Sequence, residues 1–190
     1  MAVAGRRNDP ERRARIIAVT LDVIVDRGVR GATYRTVSEV ADVPLGSMTY
    51  HFPSRDDLVF AAFEHFADDL FSPLDESMTG LADGEDPRER LVRMIVADDR
   101  DRRRDMILLM ELYVLAFRDE RYADLMRQWM HRARAAIARN FPLASAPVID
   151  AVQEGIGLHR SLLPQDYPED VVRRTLHALL PSVEPRDLDD

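Results

Sequence analysis

Side chains able to do covalent or metal chemistry are few in this chain, and they are scattered. There is no cysteine among the 190 residues, which excludes disulfides, thiolate nucleophiles and thiolate metal sites. The five histidines include no pair at metal-ligand spacing on one helix, so neither a metal nor a cofactor is expected. A Gly-rich phosphate loop, a nucleophile elbow and an HExxH pair are all missing. A helical hydrolase built on Glu111 and His159 is the one enzymatic reading left, and the chain is expected not to be an enzyme. What remains is the chemistry of recognition, concentrated in TYRTVSEVADVPLGSMTYHF from Thr33 to Phe52.

That stretch predicts two short helices meeting at a tight corner. Thr33 suits the cap of the first, and Tyr34, Val37, Ser38 and Ala41 then share one face. Asp42 tolerates a left-handed corner, and Pro44 suits the first position of a new helix because its missing amide would be unpaired there. The second helix, Leu45 to His51, is too short to be stable alone. Its neighbours must hold it while its outer face makes contact, which is the logic of a DNA recognition helix.

The elements around it are helical throughout, and the predicted fold class is all-α. Apolar periodicity gives a helix from Pro10 closed by Gly28, and one from Ser54 to about Leu70, stopped by Ser72-Pro73. Asp86-Pro87 starts another. Asp98 to Asp105 has no apolar face and is expected as a solvated connection or helix end. Met106 to Phe117 is apolar on nearly all sides and is expected to be buried. Further helices follow from about Arg121 to Asn140, around Val148 to Leu163, and from Pro168. The net charge is -8, yet residues 1 to 35 carry eight arginines against four acids. One end is therefore basic and the rest acidic, as in a protein that presents a single end to phosphates. The longest apolar stretch is broken by Glu111 and falls short of the ~20 residues that span a bilayer. No membrane segment is expected, and a cytoplasmic location is.

At the corner the sequence resembles the TetR family of bacterial transcription regulators, over residues 12 to 66. The resemblance is carried by GSMTYHF (46–52), Pro-Ser-Arg (53–55), and Ala41 with Val43. It implies a disordered basic arm at 1–9, a three-helix helix-turn-helix DNA-binding domain at 10–56, a helical effector-binding and dimerisation domain at 57–182, and an acidic tail at 183–190. It also implies a homodimeric repressor on palindromic double-stranded operator DNA, released by a small-molecule effector; a regulator without such a ligand is the alternative. Thr33, Arg35, Tyr50, His51 and Arg55 match positions that hold the DNA backbone. Leu45, Gly46 and Ser47 would meet base edges. Three positions depart from the family pattern: Asp42 for Gly, Pro44 for Ser, and Thr49 for a phosphate-binding Tyr that Tyr50 would partly replace. For Tyr50, contact with DNA and core packing both remain open; Phe52 is expected in the core.

In the body, Met94, Met106, Met110, Met126 and Met130 accompany Tyr113, Phe117 and Trp129. Such a set suits an adaptable, largely apolar pocket or a plain core. Glu111 within an apolar helix calls for an arginine, a metal or a cationic ligand. His159 is a further candidate polar group of the pocket or of a helix interface. The last two helices are expected to form the dimer through Val152, Ile156, Val172, Thr175 and Leu179, packed as a four-helix bundle.

Overall fold

The computed structural model describes residues 11–82, 84–97 and 102–180. Among them are nine α-helices and no strand: α1 (Arg12–Gly31), α2 (Tyr34–Val40), α3 (Leu45–His51), α4 (Arg55–Thr79), α5 (Pro87–Val96), α6 (Arg102–Ala116), α7 (Glu120–Ile137), α8 (Ala146–Leu162) and α9 (Glu169–Leu179). Single 3-10 turns at Leu143–Ser145 and Pro164–Asp166 lead into and out of α8. The expected arm at 1–9 and tail at 183–190 lie outside the described residues, as does 98–101.

Local chemistry sets the first corners. The apolar stripe of α1 buries Ile16, Ile17, Leu21, Val23 and Ile24, and the buried Thr20 hydroxyl donates to the Ile16 carbonyl at 2.7 Å. Gly28 breaks the helix at φ +67°, ψ 172°. Thr33 caps α2 by accepting from the Thr36 amide at 3.1 Å. Asp42 turns the corner at φ +49°. Pro44 caps α3 from just outside it, at ψ 140°, instead of occupying its first helical position. Met48 and Phe52 then carry α3 into the core.

One expectation about a helix end is corrected. The break at Ser72-Pro73 does not occur, and α4 runs on to Thr79. Pro73 removes one amide, but Leu74 and Met78 beyond it are buried, and the Asn140 side-chain amide donates to the Met78 carbonyl at 2.6 Å. Packing outweighs a local loss of about 3 kcal/mol or more. Of the two alternatives for the run before Met106, the helix end holds for its described part, since Arg102 to Asp105 form the first turn of α6. Helix α6 is not buried all round. Leu108, Leu109 and Leu112 are buried, whereas Val114 is exposed and Phe117, just past the helix end, is 87% exposed.

Two hydrophobic cores result. One joins α1 to α4 with α6 and the first half of α7; the other joins the end of α4 with α5, α8, α9 and the end of α7. Phe71 packs against both. A boundary at 56/57 thus falls inside the first core, and the change of core lies within α4. Helices α4 and α7 run side by side in one direction. Asp57–Arg121 at 3.0 Å, Asp68–Arg132 at 2.6 Å and Asp75–Arg139 at 2.7 Å all share an offset of 64 residues. Such exposed pairs add at most about 1 kcal/mol each, so they set register more than stability.

Gly28 offers a test of this frame. A Cβ there would sit 3.3 Å from Glu111 Oε1, at a backbone angle that only glycine adopts freely. Gly28→Ala is expected to destabilise the protein by about 1–2 kcal/mol. The readout is a lower urea midpoint at unchanged m-value; an unchanged midpoint would contradict it.

Candidate nucleic-acid interface and body cavity

Helix α3 has two faces with opposite roles. Met48 is fully buried and Phe52 nearly so, with the Tyr34 hydroxyl donating to the Phe52 carbonyl at 2.7 Å. Outward, Leu45 is 54% exposed and Tyr50 84%, with Gly46 and Thr49 exposed beside them. Tyr50 is therefore not a core residue. Its ring meets that of His51 edge-on at 4.9 Å. Nothing lies within 4 Å of a Cβ built at Gly46, so the leading turn of α3 is open. Ser47 is half-buried, and the Thr49 hydroxyl turns back to the Gly46 carbonyl at 3.2 Å. Thr33 and Arg35 flank this face from the start of α2. Arg35 is held by Glu39 at 3.0 Å in an exposed pair weak enough to exchange for a phosphate.

Arg55 differs from expectation. Its Nε donates to the Ala32 carbonyl at 3.0 Å, one Nη donates to the Val29 carbonyl and the other to Asp56. The guanidinium is committed to the open end of α1, so Arg55 fixes the angle between α1 and α4 instead of reaching for a phosphate.

A second site lies in the body, a cavity of about 210 Å³ between α4, α5, α6, α7 and α8. Of the expected pocket residues it contains Met94, Met106 and Trp129. Met126 is buried in the core, and Met110 and Met130 pack against it. Phe117 stands in solvent, its ring stacked at 6.5 Å on Tyr113. Glu111 points to Gly28 of α1, partly exposed and without an ion pair among the described residues. His159 is exposed, its Nδ1 3.2 Å from the Tyr167 hydroxyl. Tyr113 stays beside the cavity, its hydroxyl donating to Glu154 Oε1 at 2.7 Å.

Sequence reasoning missed the polar wall: Arg102 and Asp105 from α6, and Asp150, Gln153 and Glu154 from α8. Spacing held a signal, since 150, 153, 154 and 157 follow a helical i, i+3, i+4, i+7 pattern that puts two acids on one face of α8 with Gly157. Burial raises the Asp150 carboxyl above its ordinary range, opposed by Arg134 at 3.1 Å. Burial likewise raises Glu154, opposed by the Tyr113 hydroxyl. Trp129 Nε1 and Gln153 Oε1 are buried without a hydrogen-bond partner, each at a cost of about 1–3 kcal/mol. Among the described residues no three His, Asp or Glu side chains cluster closely enough to hold a metal.

On the dimer face, Thr175 is exposed and Leu179 is 60% exposed, while Val152 and Ile156 are partly buried against the second core. Val172 is corrected: at 1% exposure it belongs to the protomer core, because α9 turns it with Leu176 toward α5. Val148 and Leu162 of α8 are further exposed apolar side chains, outside the expected dimer set.

Three outcomes follow from this geometry. Arg55→Ala is expected to cost about 1–3 kcal/mol in chemical denaturation, through the Ala32 carbonyl it leaves without a donor, while the Val29 carbonyl keeps the Ala32 amide. Tyr50→Ala should stay within about 0.5 kcal/mol of the parent and lose only affinity for DNA. Glu154→Gln should raise the melting temperature of the ligand-free protein at neutral pH. A buried acid whose folded pKa is raised contributes stability below its unfolded pKa and loses it as pH rises through the folded value. The advantage of the variant must therefore shrink as pH falls through the carboxylate range, and a pH-independent difference would contradict the burial argument.

The family model for bacterial regulatory proteins of the tetR family matches residues 16–62, from α1 into α4. A TetR family member from Streptomyces coelicolor A3, SCO1917, is 34% identical, with 90% of this chain and 99% of that one covered and a TM-score of 0.78. The multidrug binding protein EbrR complexed with ethidium is 32% identical over 91% of this chain and 100% of that one, at TM-score 0.73. The transcriptional regulator BetI of Burkholderia cenocepacia (strain HI2424) is 27% identical over 143 residues, 71% of this chain and 72% of its own. No helix among the described residues is long and apolar enough to cross a membrane. With a helix-turn-helix head on an all-helical body, and with this kinship along nearly its whole length, the chain belongs to the TetR family of bacterial transcriptional regulators and is not an enzyme.

Proposed function

We propose that the protein is a cytoplasmic repressor that binds a palindromic operator as a homodimer and is released by a small molecule entering the body cavity. The observation that carries this reading is that walls of the cavity also hold the head. Helix α4 contributes Leu70, Pro73 and Leu74 to the cavity and Leu58 to Ala67 to the first core. Helix α6 contributes Arg102, Asp105, Met106 and Leu109, while Arg104 pairs with Asp22 of α1 at 3.2 Å and Glu111 abuts Gly28. A ligand that fits better when α4 or α6 is displaced shifts the population toward that state. The two α3 helices then no longer match successive major grooves, ~34 Å apart. Crystal structures of EbrR with ethidium, proflavin and malachite green support a ligand-receiving body.

In this reading Leu45, Gly46 and Ser47 meet base edges, and Thr33, Arg35, Thr49, Tyr50 and His51 place the head on the backbone. The exposed faces of α8 and α9 make the dimer through Val148, Val152, Ile156, Thr175 and Leu179. Fluorescence anisotropy with inverted repeats taken from the DNA upstream of the gene is the test. Binding should weaken linearly in log K against log salt, and one compound from a metabolite panel should both raise the melting temperature and release the DNA. A protein that stays monomeric at micromolar concentration, or that binds no such repeat, overturns the reading.

A further inference from the structure

We propose that Leu45 is the specificity-determining residue of α3 and that it reads a thymine C5-methyl, so that the operator half-site is told apart by an apolar contact. This rests on the operator-binding reading above and names what the head recognises. Bidentate readout of a base needs an arginine or lysine against guanine, or an asparagine or glutamine against adenine. Helix α3, with the sequence LGSMTYH, holds none of these residue types. Among the described residues, the guanidinium groups around it are placed for other work. Arg55 donates to the Ala32 carbonyl at 3.0 Å, and Arg13 lies over the ring of Phe52, its Cζ 5.3 Å from the centroid. Arg35 stands in the first turn of α2, where the reading above gives it to the DNA backbone. Of the three residues that meet base edges in that reading, Gly46 has no side chain and Ser47 is half-buried with a single hydroxyl. Leu45 is left as the side chain with reach.

Exposure points the same way. From residue 11 to residue 66 the large apolar side chains left in solvent are Val40, Leu45 and Tyr50, and all three stand on α2 and α3. Leu45 keeps in water an apolar area that a complementary surface removes. In the major groove that surface is the thymine methyl, the one apolar group on a base-pair edge. The other edges present hydrogen-bond donors and acceptors. Against those, Leu45 displaces water and pairs with nothing, which is unfavourable. One side chain thus selects for thymine and against the other bases at its position. Gly46 serves the same contact. Nothing lies within 4 Å of a Cβ built there, so α3 can lie close to the edge with no side chain beside Leu45 to hold it off.

The probe is the tightest duplex that the full-length protein recovers from a library of randomised inverted repeats, titrated at one fixed salt concentration. It is expected to carry thymine at a matched position of both half-sites. Replacing that thymidine by deoxyuridine removes one methyl and keeps every hydrogen-bonding group of the base. Affinity should fall about fourfold with one half-site changed and about fifteenfold with both, the loss of one buried methyl per half-site. Leu45→Ala should melt with the parent because Leu45 is exposed, and should bind the thymine and uracil duplexes equally. Leu45→Met, which keeps an apolar side chain of similar size, should keep the preference. If uracil binds as tightly as thymine at every thymine position in the parent, the proposal is overturned while the operator reading stands. A preference that survives intact in Leu45→Ala also overturns it, since the methyl then acts on another side chain or through the shape of the DNA. Recovery of no duplex at all overturns the operator reading and this proposal together.

Discussion

Helix α3 exists because Met48 and Phe52 are buried. Seven residues cannot meet the cost of helix nucleation in water, so the reading surface is stable only as the outer side of a core contact. Two fully desolvated side chains and the hydrogen bond from Tyr34 to the Phe52 carbonyl hold α3 against α1, α2 and α4. The outer face is then free to carry Leu45, Thr49 and Tyr50, which are exposed and lie outside the core. Stability and recognition are divided between two sides of one helix, and the division is why the exposed side can vary without loss of structure.

The same dependence reaches into the body. The core that seats α3 includes the first half of α4, the apolar face of α6 and the start of α7, so the head is not a separate unit on a tether. Continuity of α4 through Pro73 matters here. Had the helix ended at residue 70, the head and the cavity would be coupled without α4, through α6 by its contacts with α1. Buried Leu74 and Met78 keep it intact, and three ion pairs of common offset, from α4 to α7 and the turn after it, hold the two long helices in register. A packed helix passes on a displacement because close-packed interiors are poorly compressible.

The cavity has the opposite economy, since its polar groups are left partly unsatisfied. Carboxyls on α8 are raised by burial, and an indole N–H and an amide oxygen lack partners in the same wall. Such groups lower the stability of the empty protein. In the proposed effector reading the cavity gains selectivity from this, because a wrong ligand leaves the same groups unpaired.

Much of the frame could be read from residue types alone, where the cause is local. The Thr33 and Ser54 hydroxyls, Asp42 at a left-handed corner, Gly28 at positive φ and Asp86-Pro87 act through their own backbone, so their positions follow from the sequence. The all-α class and the short recognition helix follow in the same way from apolar periodicity. Tertiary structure decided what depends on neighbours distant in sequence. Pro73 was carried inside a helix by the burial of Leu74 and Met78 and by Asn140, 62 residues beyond Met78, and Arg55 was turned inward by carbonyls at the end of α1. Val172 went to the core while Leu179 stayed outside, although both sit on one apolar stripe. The cavity lay furthest from view, because Glu154 acquires its character only when α6 and α8 bring Tyr113 to it. Periodicity tells which side of a helix is apolar, and only the partner helix tells what that side meets.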